Sequence, residues 1–241
     1  MSKLLIANWK MQLSRKEALS LAKKLKARAK KCPAKMVICP DFLSLQPVSA
    51  SLKNSAIELG AQDCASSNRG ALTGEISPFD LRSLGVKYVI LGHSERREKL
   101  GENEALISAK IKAALANRLT PIVCVGENLA EKEAGKAKSV LVGQLRAALK
   151  NVKIKSANDL IIAYEPLWAI GTGQAIIPAE AEIVGNFLTV EAAKILQKRV
   201  RVIYGGSVDS QNASQFLRQK HLAGLLVGGA SLKEDFYKLC C

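Results

Sequence analysis

Eight short apolar runs, each followed by a longer stretch with helical spacing, repeat from one end of this 241-residue chain to the other. The runs are Leu4–Trp9, Lys35–Cys39, Ile57–Gln62, Lys87–Gly92, Thr120–Val125, Asp159–Tyr164, Arg201–Gly205 and Ala223–Gly228. They are apolar at successive positions and not at alternate ones, as strands covered on both faces must be. In the first intervening segment Ala18, Leu21, Ala22 and Leu25 share one helix face, while lysines and arginines fill the other. Glu102–Arg118, Glu131–Lys150 and Pro178–Lys198 read the same way. Pro178 suits a first helical turn, where a missing N–H costs nothing, and Asp209 or Ser210 is placed to cap the next helix.

Strict strand–helix alternation implies a parallel sheet with right-handed crossovers. Eight units of roughly 30 residues fit a closed (β/α)8 barrel. An open doubly wound sheet fits fewer strands, and no GxGxxG follows the first run. With no linker and no low-complexity segment, residues 1–241 are expected to form a single barrel domain.

Aromatic residues are only 5% of a chain that is 48% hydrophobic, so the core must be mainly aliphatic. No run approaches the roughly 18 apolar residues of a membrane span. Leu4-Leu5-Ile6-Ala7 passes directly into Asn8-Trp9-Lys10, unlike a signal peptide. The expectation is a soluble, cytoplasmic protein without a membrane partner. Six cysteines without CxxC spacing, beside only two histidines, argue against a metal site and for a reducing compartment. Cys240-Cys241 reads as an exposed tail. The net charge is +15, part of it in Lys23, Lys24, Lys26, Arg28, Lys30, Lys31 and Lys35. Such a run either attracts polyanions or is a solvated helix face; the second is expected, and no specific nucleic-acid partner with it.

A barrel of this kind carries its chemistry in the loops after the strands. Polar and glycine-rich clusters fall there: Asn8-Trp9-Lys10, Gly92-His93-Ser94-Glu95, Glu165-Pro166, Gly205-Gly206-Ser207 and Gly228-Gly229. Glu165 ends an apolar strand beside the mostly apolar Pro166–Gly173 segment, which would desolvate its carboxylate and suit it to act as a general base. His93 ends the fourth run; a helix starting there favours a neutral ring able to donate a hydrogen bond to a carbonyl. Lys10 could steady an oxyanion or hold an anionic substrate, with Asn8 on the same side of the strand. Gly171, Ser207, Gly228 and Gly229 offer backbone N–H groups to a phosphate. His221 has no polar cluster around it and reads as structural or exposed.

Seven segments, in order, resemble the triosephosphate isomerase family over nearly the whole chain. They are Ala7–Met11, Gly60–Gln62, Thr73–Pro78, Leu91–Arg97, Ala163–Gly173, Tyr204–Val208 and Leu226–Leu232. The resemblance implies a TIM barrel that interconverts dihydroxyacetone phosphate and D-glyceraldehyde 3-phosphate through an enediol(ate), in glycolysis and gluconeogenesis, with no cofactor and no metal. It implies Glu165 as base, His93 as neutral electrophile and Lys10 as the stabiliser of negative charge. Asn8, Gly171, Ser207, Gly228 and Gly229 would bind substrate, Pro166–Gly173 would be a lid, and Glu95 and Cys124 would support the site. It implies a homodimer in which the Asp63–Glu75 loop enters the partner and Thr73 reaches the partner's Asn8–Lys10 region. Departures from the family pattern fall at Gln12, at Asn128, at the hinge Gln174-Ala175-Ile176, and at Thr189 and His221, where many members carry a pairing Arg and Asp. Another phosphosugar barrel would lack the Lys10, His93 and Glu165 trio, and an inert barrel held to nucleic acid or lipid has only the charge to support it.

Overall fold

A computed structural model describes residues 2–170 and 175–240. Its strands are β1 (Leu4–Asn8), β2 (Lys35–Cys39), β3 (Glu58–Ala61), β4 (Val86–Leu91), β5 (Thr120–Val125), β6 (Ile161–Tyr164), β7 (Arg201–Tyr204) and β8 (Gly224–Val227). They pair in sequence order, all parallel, and β8 returns to β1 through Leu4 opposite Gly224 and Ala7 opposite Val227. The expected (β/α)8 barrel is therefore the observed one.

Two apolar layers explain why the strand runs show no alternation. Leu4, Ile6, Val37, Ile90, Ile122 and Ile203 belong to one buried cluster. Their strand neighbours Leu5, Ala7, Ile38, Val89, Val123 and Val202 belong to a second, shared with the helices. One face fills the barrel and the other receives the helical shell, so both parities must be apolar.

The helices are α1 (Arg15–Arg28), α2 (Phe42–Ser51), α3 (Pro78–Ser83), α4 (Ser94–Leu100), α5 (Glu104–Ala116), α6 (Leu129–Glu133), α7 (Ala137–Ala148), α8 (Pro178–Leu196) and α9 (Ala213–Leu217). Ala18, Leu21, Ala22 and Leu25 are the buried stripe of α1, and Ser14 with Glu17 closes a capping box at its start. The lysines at 23, 24, 30, 31 and 35 are exposed, as a solvated face requires. Pro178 opens α8 as expected. The expected Glu131–Lys150 helix is instead two, because the chain turns through a left-handed φ of 68° at Gly135. Asp209, and not Ser210, organises the turn before α9: its Oδ1 accepts the N–H groups of Gln211 and Asn212. Asn128 caps α6 through a capping box with Glu131. His221 pairs with Glu182 at 2.5 Å, and Thr189 bonds back to the Gly185 carbonyl.

The cysteines depart from expectation. Cys240 is half-buried and disulfide-bonded to Cys32, with the two Cα atoms 6.1 Å apart. The partners are 208 positions apart, so no spacing rule reveals them; the closed barrel brings the end of α1 against the C-terminal turn Phe236–Cys240. Cys241 lies outside the described residues. Among the described residues no helix is long and apolar enough to cross a membrane.

Candidate active site

A cavity of about 370 Å³ opens at the C-terminal ends of the strands. Asn8, Lys10, His93, Glu165, Ser207, Gly228 and Gly229 all line it. Five different strands thus deliver their terminal residues to one place. Gly171 lies outside the described residues.

Asn8 ends β1 in the parity of Leu4 and Ile6, and is buried. Its Oδ1 accepts the N–H of Lys10 at 3.1 Å. That bond accompanies a left-handed φ of 50° at Lys10, a conformation that costs a non-glycine residue about 1–2 kcal/mol. The Lys10 carbonyl accepts from Gln62 Nε2 at 2.8 Å, and the same nitrogen also donates to the Cys39 carbonyl. The backbone at Lys10 is held from two sides, and its ammonium emerges into the cavity to meet Glu95 Oε1 at 2.7 Å. Burial works against the charged form of Glu95, but the Lys10 ammonium wins and holds that carboxyl below its ordinary range.

His93 occupies the N-cap position of α4, where its Nδ1 accepts the Glu95 N–H at 3.3 Å. A ring nitrogen that accepts carries no proton, so this bond selects the tautomer with hydrogen on Nε2. Nε2 lies 3.4 Å from Glu165 Oε1. The other Glu165 oxygen accepts the Ser94 N–H at 3.3 Å, and only 2% of the residue is exposed. Cys124 is buried on β5 near Glu165; burial first, then the nearby carboxylate, pushes its thiol far up, so it stays protonated. Gly126 lets the backbone of Glu165 pass close to the end of β5: a Cβ there would sit 1.7 Å from the Glu165 carbonyl oxygen.

After β6, Glu127 Oε1 accepts from both the Tyr164 hydroxyl (3.0 Å) and Trp168 Nε1 (2.9 Å), which pins the start of the Pro166–Ile170 segment. Ser207 donates its hydroxyl (2.6 Å) and its N–H (3.2 Å) to the Ala169 carbonyl. The N–H expected to face a phosphate is thus engaged by that segment.

A family model described as Triosephosphate isomerase matches residues 3–241. The chain belongs to the triosephosphate isomerase family. Among curated triosephosphate isomerases, that of Herpetosiphon aurantiacus is 44% identical, with 98% of this chain and 97% of the relative covered. Those of Thermoanaerobacter pseudethanolicus and Endomicrobium trichonymphae are 42% and 43% identical, each over 98% of this chain and at least 96% of their own length.

Beyond the side chains and N–H groups that the sequence assigns to the site, the cavity has further walls. Ile170, Asp209, Leu226 and Lys233 also line it. Lys233 is a second cation at the mouth, reached through the 3₁₀ turn Gly229–Leu232, and nothing in its local sequence distinguishes it from a surface lysine. Arg97 went unassigned as well: it donates to the Gly92 carbonyl at 2.6 Å and the Cys124 carbonyl at 3.1 Å, tying β4 to β5 beneath His93. Its place within the Leu91–Arg97 motif was the available signal.

Proposed function

We propose that this cavity interconverts dihydroxyacetone phosphate and D-glyceraldehyde 3-phosphate, the isomerase reaction of glycolysis and gluconeogenesis, using side chains alone. The observation that carries the reading is the imidazole Nε2–H beside a buried carboxylate, 3.4 Å apart, at a mouth that also holds the Lys10 ammonium. Glu165 takes a proton from the carbon next to the carbonyl. The electron pair of that C–H bond forms the carbon–carbon double bond of an enediol(ate), and the carbonyl electrons move onto oxygen. His93 donates Nε2–H toward that oxygen, and Lys10 opposes the negative charge. His93 then takes the hydroxyl proton from the neighbouring oxygen in exchange for the one it gave, and as that oxygen becomes the new carbonyl the electron pair of the carbon–carbon double bond takes the Glu165 proton onto the neighbouring carbon. Asn8 holds Lys10 in place, and the N–H groups of Ser207, Gly228 and Gly229, with Gly171, receive the phosphate. For Ser207 this requires the Ala169 carbonyl to withdraw, consistent with a lid role for the segment that begins at Pro166. Glu95 and Cys124 support Lys10 and Glu165. The chain works as one domain in the cytoplasm.

The coupled assay of purified protein, run in both directions in deuterated buffer, tests this reading. Turnover with solvent deuterium at the exchanging carbon is expected. Absence of turnover, or full retention of the substrate hydrogen in the earliest product, overturns it.

The same reading includes a homodimer formed through Asp63–Glu75. Eight consecutive residues of that loop, 68–75, are exposed. Beside the active mouth, a second cavity of about 490 Å³ is lined by Lys10, Met11, Phe42, Gln62, Glu95 and Leu100. Met11 is 92% and Leu43 83% exposed on this side, an apolar display that a second copy would cover. In that arrangement Thr73 meets the partner's Asn8–Lys10 region.

A further inference from the structure

The positive charge of this chain has a direction. The segments that lead into the eight strands, taken from Ser2 for β1 and otherwise from the end of the preceding α-helix through the first strand residue, carry fourteen lysines and arginines, with Glu58 and Asp159 as their only acids. The seven connections that leave β1 through β7 toward the active mouth carry two cations, Lys10 and Arg69, and six acids. The entry connections therefore carry a net +12 and the exit connections a net −4, the remainder of the +15 lying mostly on α1. Attraction of a triose phosphate to its mouth gives no reason for this placement, because the field is strongest at the wrong end.

That end holds a cavity of about 580 Å³, within the size range of small-molecule sites. Lys35, Arg82, Lys87, Arg118 and Arg201 line it, and Glu58 is the one acid among its lining residues. Glu58 is already occupied: Lys35 stands at 3.1 Å, Lys87 at 2.6 Å and the Tyr88 hydroxyl at 2.9 Å. Arg82 and Arg118 make no ion pair among the described residues, and the buried Nε of Arg201 has no hydrogen-bond partner among them. Arg118 projects from a left-handed position (φ 58°) at the end of α5, where glycine or asparagine meets less steric resistance. The connections at this end contribute no exposed large hydrophobic residue among the described residues, and the one aromatic ring in the cavity, Tyr88, is buried. Nothing there stacks on a base or enters a bilayer. Guanidinium forks without an apolar component match a chain of phosphates.

We propose that the cavity at the strand-entry end, ringed by Arg82, Arg118 and Arg201 with Lys35 and Lys87, is a binding site for a compact soluble polyphosphate group. It is separate from the triose phosphate mouth and does not depend on how that mouth works.

Calorimetric titration of the full-length protein with inorganic tripolyphosphate, in about 0.15 M salt so that diffuse attraction is screened, tests the site. Saturable one-site binding is expected, weakened about tenfold or more in the double variant Arg82→Gln, Arg118→Asn, which removes two charge-assisted contacts. Both residues are exposed, and asparagine tolerates the left-handed position, so the variant should fold; circular dichroism and unchanged triose phosphate turnover verify it. The charge-matched variant Lys16→Gln, Lys23→Gln, on the exposed side of α1, should bind like the parent. Equal weakening in both variants, or no saturable binding at all, overturns the site in favour of a diffuse field. So does a competitive rise in the KM for triose phosphate at the tripolyphosphate Kd, which would place the anion in the active mouth. Single-stranded oligonucleotide bound tightly by both variants would replace the compact site with a nucleic-acid surface.

Discussion

Glu165 and His93 face each other across 3.4 Å, and the tolerance of that arrangement is small. Glu165→Asp withdraws the carboxylate by about 1 Å, and a misplacement of that size costs roughly 100-fold in kcat while the phosphate contacts keep KM near its parent value. Steady-state kinetics in the coupled assay decide it; an unchanged kcat removes Glu165 from the base role. Gly229 gives the complementary test. A Cβ there meets nothing within 4 Å, so Gly229→Ala should leave the melting temperature alone while raising KM, if its N–H approaches the phosphate closely. A parent-like KM would withdraw that assignment. At this scale the sequence is informative where chemistry forces an unusual residue onto a strand end, as with Asn8, Lys10, His93 and Glu165. It is silent on the contacts of Gln62, which lie far away along the chain, on Lys233, which only the turn after β8 carries to the mouth, and on the tautomer of His93, which rests on how α4 orients the Glu95 N–H.

Among elements, the least expected feature is a buried charge cluster joining the base of the β3–α3 loop to α4 and α5. Asp63 sits 2.7 Å from Lys110 Nζ and 2.9 Å from Arg96, while Glu102 takes Arg96 at 2.7 Å and also Lys110. Burial pushes the Asp63 carboxyl up to about 6, against the pull of Lys110 and Arg96 and with Glu102 adding to the rise. Glu102, opposed by the same burial, is held below its ordinary range by the two cations. An acid whose folded pKa exceeds its unfolded value of 3.8 gives stability that is lost as pH rises through that interval. Between pH 4.5 and 7 the Asp63 contribution falls by about 2 kcal/mol. The stability of Asp63→Asn relative to the parent should therefore improve steadily as pH is raised across this range, read by denaturant unfolding at a series of pH values. A pH-independent difference would show that Asp63 titrates normally. Strand positions were legible to within two residues because each run is bounded by polar or glycine residues. The break in the Glu131–Lys150 segment was not, because helical periodicity continues past Gly135 and only its left-handed φ divides the segment.

For the whole molecule, the number of units and the strict alternation left one architecture, and the closed sheet is that architecture. What the alternation could not convey is which distant segments meet when the sheet closes, the Cys32–Cys240 pair above all. Cross-linking so long a loop removes denatured-state entropy worth up to the order of 5 kcal/mol. Cys32→Ser should lower the melting temperature in oxidising buffer and abolish the difference between oxidised and reduced samples. Equal melting of the parent with and without reductant would deny the bond any part in stability. Replacing the exposed loop tip 68–75 with a short glycine linker should give a monomer in sedimentation analysis, with activity falling alongside; a dimer that persists would place the interface elsewhere.

The bond between Cys32 and Cys240 also changes what a single cut can do. It makes a covalent ring of the backbone from α1 to the C-terminal turn, and β2 through β8 lie inside that ring. A protease that severs one peptide link in any loop along it yields two fragments still joined through sulfur. The nicked protein migrates as one piece until a thiol is added, and its halves need not find each other again by diffusion.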